Sequence, residues 1–140
     1  MDLTRVDINK LNEINKGTMM EVLGIEYLES RPGYLKARMP VDERTFQPAG
    51  LLHGGASMAL AETLGSVGSA IMVNLEEYEV RGSQLSANHI KSAKQGWVYG
   101  VASLLHQGRN THVWNIDIHD QADRLISTCR LTNFIIKKVK

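Results

Sequence analysis

Cysteine is almost missing: Cys129 is the only one in 140 residues. A lone cysteine excludes an internal disulfide and any zinc cluster built on several thiolates, and it fits a reducing, cytoplasmic compartment. An excess of either charge is missing too. Sixteen Lys and Arg stand against fifteen Asp and Glu, for a net charge of +1. That balance gives no electrostatic footprint for nucleic acid or an anionic membrane, so any ligand must be recognised locally. The opening residues, Met1-Asp2-Leu3-Thr4-Arg5, lack the basic region and apolar run of a secretory signal, and no export is expected. No repeat, low-complexity tract or linker divides the chain, and 43% hydrophobic residues suffice for one core. A single domain over residues 1–140 is the expectation.

The hydrophobic period changes along the chain. Ile8, Leu11 and Ile14 predict a short amphipathic helix over Asp7 to Lys16, before Gly17. Thr18-Met19-Met20-Glu21 reads as a capping box opening a further helical turn, with Gly24 as its stop. From Gly33 onward Leu35, Ala37 and Met39 alternate with Tyr34, Lys36 and Arg38, which predicts a half-buried strand ending at Pro40. Further strands are expected over Val80 to His89, Trp97 to Leu105, His112 to His119 and Leu125 to Ile136. The loops holding Gly96, Gly108 and Asp120 to Asp123 are short enough to join consecutive strands as antiparallel neighbours, which predicts a meander-like sheet.

Between the first strand and the rest, residues 54–73 are apolar or small on every face, the signature of a helix inside a core. A membrane span is the competing reading. Four glycines, several hydroxyls, a central carboxylate and the lack of flanking Lys or Arg count against it. Ala61, Gly65, Gly68, Ser69 and Met72 leave one side of the helix thin enough for a curved sheet to approach its backbone. Glu62 is the only charge in the run. It is either paired with a basic residue or exposed at the helix surface, or it is a pocket carboxylate acting as general base or nucleophile. Ser66 lies one turn on, on the same face. His53-Gly54-Gly55 precedes the helix, so the glycine amides belong to the donors that no intrahelical carbonyl satisfies, and they can face an oxyanion. No Lys follows to make a phosphate-binding loop. Gln47, in the loop with Pro48 and Gly50, could orient a carbonyl or water. The histidines lie far apart, and His112 and His119 point to opposite faces of one strand, so no metal site is expected.

The stretch from Met39 to Ser57, with Phe46-Gln47-Pro48-Ala49-Gly50-Leu51-Leu52-His53-Gly54-Gly55-Ala56-Ser57, followed by Ala59-Leu60-Ala61-Glu62-Thr63-Leu64-Gly65-Ser66, strongly resembles hotdog-fold thioesterases. The similarity runs nearly end to end with the branch that hydrolyses 1,4-dihydroxy-2-naphthoyl-CoA or proofreads enterobactin synthesis. Phenylacetyl-CoA-type thioesterases, which carry aspartate at the helix carboxylate, are more distant. The resemblance implies an α+β hotdog fold, an antiparallel sheet wrapped around one long helix. It implies hydrolysis of an acyl-CoA thioester, with an aromatic hydroxyacyl group preferred and an acyl carrier protein thioester as an alternative substrate. Glu62 would be nucleophile or general base, the Gly54 amide would polarise the carbonyl, and Gln47, His53, Gly55 and Ser66 would position substrate or water. Ser86 to Ser92, with His89, matches a substrate-binding region that ends in Arg-Pro in relatives; here Lys91 and Ser92 depart from it. His106-Gln107-Gly108-Arg109 matches a turn near the CoA nucleotide, where Arg109 could pair with a phosphate or simply be an exposed hairpin residue. No metal or organic cofactor is implied.

Gly54 and Glu62 are separated by roughly 12 Å of helical rise, too far for one carbonyl to meet both. A homodimer, or a homotetramer of such dimers, that sets Gly54 of one chain opposite Glu62 of another removes the difficulty. Two other functions stay open: a hotdog dehydratase of 3-hydroxyacyl thioesters using His53 and Glu62, and a non-catalytic acyl-CoA-binding module.

Overall fold

The computed structural model describes residues 2–140. Its first helix, Ile8–Glu13 (α1), is shorter than expected, is capped by Asp7, whose carboxylate accepts from the Lys10 amide at 2.9 Å, and buries Leu11. The second, Met19–Leu23 (α2), ends at Gly24, where φ is 72°. Glycine is required there twice over, since a Cβ would also lie 2.8 Å from the Pro40 ring. The expected capping box is only half made. Glu21 reaches back to the Gly17 amide at 2.7 Å, but the Thr18 hydroxyl donates to the Asn15 carbonyl at 2.6 Å and caps no helix amide. The orphan carbonyls ending α1 compete for that hydroxyl.

Six strands and one long helix follow: Glu26–Arg31 (β1), Tyr34–Pro40 (β2), Gly54–Ala70 (α3), Tyr78–His89 (β3), Trp97–Gln107 (β4), Thr111–Asp120 (β5) and Leu125–Lys137 (β6). They form one antiparallel sheet in the order β1-β2-β4-β5-β6-β3. The α+β class and the wrapped central helix agree with the sequence, as α3 packs against β2 through β6. Two expectations are corrected. Only β4, β5 and β6 form a meander; the segment holding Gly96 does not join neighbours, because β3 pairs with β6 while β4 pairs with β2 and β5. Three interstrand spacings, roughly 14 Å, are within reach of that connection, so its length did not fix the pairing. β1 was not expected at all: its register shifts between Tyr27 and Glu29, and Tyr27 is its only buried side chain, so alternation is broken. Asn12 and Asn15 pin α1 to this strand, the Asn12 oxygen accepting from the Tyr27 amide at 2.7 Å and the Asn15 oxygen from the Tyr27 hydroxyl at 3.1 Å.

The core lies between α3 and the sheet. Leu60, Ala61 and Leu64 on the helix face Trp114, Ile116 and Ile118 on β5, all fully buried. Each large side chain so buried contributes roughly 1.5–3 kcal/mol. The thin side of the helix is used as its composition predicts. A Cβ on Gly65 would meet Leu131 at 2.4 Å, and one on Gly68 would meet the Trp114 ring at 2.8 Å. The helix ends at Ala70, earlier than expected, and the chain turns through Asn74, whose side-chain oxygen accepts from the Glu76 amide at 3.0 Å. No helix among the described residues is long and apolar enough to cross a membrane.

Candidate active site

The N-terminus of α3 is built by its cap. His53 is the N-cap in extended backbone, and its Nδ1 accepts from the Gly55 amide at 2.7 Å. The Gly55 amide is therefore taken, and the expectation that both glycine amides face a ligand is corrected. The Gly54 amide has no protein acceptor among the described residues. It sits under His89 from the end of β3: a Cβ on Gly54 would lie 2.7 Å from His89 Nε2. Gln47 approaches from the preceding loop with its side-chain oxygen accepting from the Ala49 amide, which leaves its NH₂ group as a donor.

These residues border one cavity of about 250 Å³, whose lining includes Gln47, Gly54, Ser57, His89, Lys91 and Ser92. Four residues singled out from sequence (Gln47, Gly54, His89 and Lys91) thus meet in space. Ser57 was missed, because a serine inside an apolar helix reads as one more small residue. It is 1% exposed and borders this cavity. Ser127 was missed as well. A register shift between Ile118 and His119 sends both Ile126 and Ser127 inward, and the Ser127 hydroxyl lies 2.5 Å from His89 Nδ1.

Glu62 is not part of this cavity. It is exposed in the single chain, forms no ion pair with any described basic residue, and rests against β3 opposite Gly82. Of the structural explanations for a charge in the helix, exposure applies and pairing does not. Ser66, a turn further, borders a second and mainly apolar cavity of about 470 Å³ with Leu3, Ile14, Val67, Tyr78 and Val80. Gly108 and Arg109 lie elsewhere again, in the β4–β5 hairpin. The Gly108 amide donates to the Thr111 carbonyl at 2.8 Å, and Arg109 is exposed. The neighbouring His112 reaches Ser69 near the C-terminal end of α3, so this hairpin is at the far end of the sheet from Gly54.

A closed polar network holds that end. Trp114 Nε1 and Asn133 Nδ2 donate to Ser69 Oγ at 2.8 and 2.9 Å, filling its lone pairs, so its proton goes to His112 Nδ1 at 2.9 Å. Burial, aided by nearby His106, pushes the His112 imidazole below its ordinary value. Burial also pushes the Cys129 thiol up to about 11, with Asp117 adding to the effect.

The candidate site thus has two separated halves: the unpartnered Gly54 amide at the positive pole of α3, and the exposed Glu62 carboxylate two turns along the same helix. An antiparallel sheet wrapped on one long helix is the hotdog architecture that the sequence resemblance implies. Comparison with known proteins gives the same class. Residues 49–127 match the family model described as the thioesterase superfamily. The chain is 42% identical over 132 residues to the 1,4-dihydroxy-2-naphthoyl-CoA hydrolase of Escherichia coli, covering 94% of this chain and 96% of that protein. It is 45% identical over 129 residues to the proofreading thioesterase EntH of Cronobacter turicensis, covering 92% and 93%. Among solved structures, a glutamine-to-alanine mutant of thioesterase PA1618 from Pseudomonas aeruginosa superposes with a TM-score of 0.93 at 39% identity, covering 96% of each chain. The chain belongs to the thioesterase superfamily. Its enzyme class is that of the thioester hydrolases.

Proposed function

We propose that the enzyme hydrolyses an aromatic or hydroxyaryl acyl-CoA in the cytoplasm, with an acyl carrier protein thioester as the other carrier to be tried, at sites shared between two copies of the chain. Gly54 of one copy polarises the carbonyl, and Glu62 of the other attacks the carbonyl carbon or deprotonates the attacking water. The net reaction adds water across the C–S bond, leaving a free acid and a protonated thiol. The observation that carries this reading is the exposed, unpaired Glu62 carboxylate, the only charge on α3, one turn from Ser66 and the apolar cavity of about 470 Å³ that it borders. That cavity suits an acyl group, and the named relatives include a hydrolase of an aryl-CoA. Gln47, His53, Ser66, His89 and Lys91 serve to position substrate or water, and Gly108 and Arg109 to meet the nucleotide phosphates from the far end of a neighbouring copy. The outer edge of β3, unpaired in the single chain, supports a homodimer or homotetramer.

A dehydratase is the less favoured reading. His53 Nδ1 is already an acceptor for the Gly55 amide, so the proton is on Nε2 and the ring is set as a donor, not as a base. A non-catalytic binding module would have no use for a free carboxylate at Glu62. The deciding experiment is thiol release from aromatic and aliphatic CoA thioesters and from acylated carrier protein, with the parent and Glu62→Gln. The variant is expected to fold normally and to lose roughly two to four orders of magnitude in turnover. Near-parental hydrolysis by Glu62→Gln would remove Glu62 from the mechanism. Light scattering that finds an active monomer would remove the shared site.

A further inference from the structure

We propose that Ser127 is a positioning residue that fixes the His89 imidazole with its Nε2–H over Gly54, so that His89 gives the thioester carbonyl a second hydrogen bond beside the Gly54 amide. This rests on the reading of Gly54 as the carbonyl site.

The argument is one of donors and acceptors. Ser127 is 0% exposed, and the only partner of its hydroxyl among the described residues is His89 Nδ1. If Nδ1 carried the proton and donated to Ser127, the hydroxyl proton would be buried without an acceptor, which costs roughly 1–3 kcal/mol. With the hydroxyl donating to Nδ1, every group is satisfied and the ring proton is on Nε2. That nitrogen is the atom above Gly54. The absence of a Gly54 side chain is what permits this approach, because a Cβ would stand 2.7 Å from Nε2.

The lining of the same cavity has the matching polarity: Ser57, 1% exposed, borders it beside Gln47 and Lys91. The cavity offers the Gly54 amide, the His89 Nε2–H and the Gln47 NH₂ group, with no carboxylate in its lining. A group gaining negative charge fits it, as the thioester oxygen does during attack.

The test is a double-mutant cycle on thioester hydrolysis together with ¹⁵N NMR of the histidine rings. His89→Ala is expected to lower kcat by roughly 10²-fold, with a smaller change in KM. Ser127→Ala is expected to lower kcat by about tenfold alone and to have no further effect in the His89→Ala background. The spectra are expected to show the Nε2–H tautomer for His89 in the parent and a mixture of tautomers in Ser127→Ala. Additive losses in the cycle, or an Nδ1–H tautomer in the parent, would overturn the proposal while leaving the thioesterase reading intact. A parent that releases no thiol from any thioester would overturn both.

Discussion

Glu62 and Gly82 are matched across the gap between α3 and β3: a Cβ built on Gly82 would come within 2.4 Å of the Glu62 Oε1 atom. The strand lacks a side chain at the point where the carboxylate rests. Gly82 also stands at the register shift between β3 and β6.

Gly82→Ala is therefore expected to push the Glu62 carboxylate aside. The atom displaced is the end of a flexible, exposed side chain, so folding should change little. Turnover should fall by about tenfold or more, since misplacement of a reacting group by about 1 Å can cost up to 10²-fold. Thermal unfolding and single-turnover hydrolysis on the same preparation check this; unchanged turnover would place the reacting carboxylate elsewhere.

At Gly68 the consequence is opposite in kind. The neighbour there is the fully buried Trp114 ring, which also donates to Ser69 and cannot swing away. Gly68→Ala is expected to destabilise the fold by about 1–3 kcal/mol through overpacking. Denaturant unfolding measures it, and a loss below about 0.5 kcal/mol would mean that the helix can shift outward.

The His112 network makes stability depend on pH. The folded imidazole binds protons less readily than the ordinary value of about 6.5. Between the two values the unfolded chain holds more protons, so stability is fully present above about pH 6.5 and falls as pH drops below it toward the folded value. His106 on β4 is the titratable group that acts on the ring; α3 and β6 face it with the neutral Ser69 and Asn133. His112→Asn should flatten the loss of melting temperature between about pH 7 and pH 5.5. An equal slope in parent and variant would refute the assignment.

Cys129 bears on how the enzyme is assayed. It is 3% exposed, and its thiol is held near 11. The thiolate is the reactive species, so the folded protein is expected to react with a thiol reagent more slowly than free CoA by orders of magnitude. A stoichiometric burst from native protein without substrate would contradict this.

The long helix and its thin side could be read from residue composition and spacing, and β2 and β5 most directly, because their burial alternates with little interruption. The alternation through Trp114, Ile116 and Ile118 survives in the structure as three fully buried side chains. What could not be read has a local cause. β1 and the start of β6 each carry a register shift, which breaks the period and hid both a whole strand and the inward turn of Ser127. Pairing of β3 with β6 is a long-range choice on which loop length is silent. Local sequence singled out Gln47 and Gly54, and family resemblance singled out His89; that the three share a cavity is a finding of the structure. Neither could reveal that His53 takes the Gly55 amide, since that depends on the rotamer of the cap.

The pairing of β3 with β6 also constrains how the chain is made. During synthesis β3 emerges well before its only partner, with β4 and β5 in between, and Tyr78 must wait for Lys137. Until β6 arrives, β2, β4 and β5 can cover α3 but β3 has no strand to pair with, and the apolar groups that β6 and β3 would cover remain accessible to chaperones or to other nascent chains. A ribosome paused within β5 would hold out an incompletely wrapped helix, and emergence of β6 becomes the event that joins β3 to the sheet.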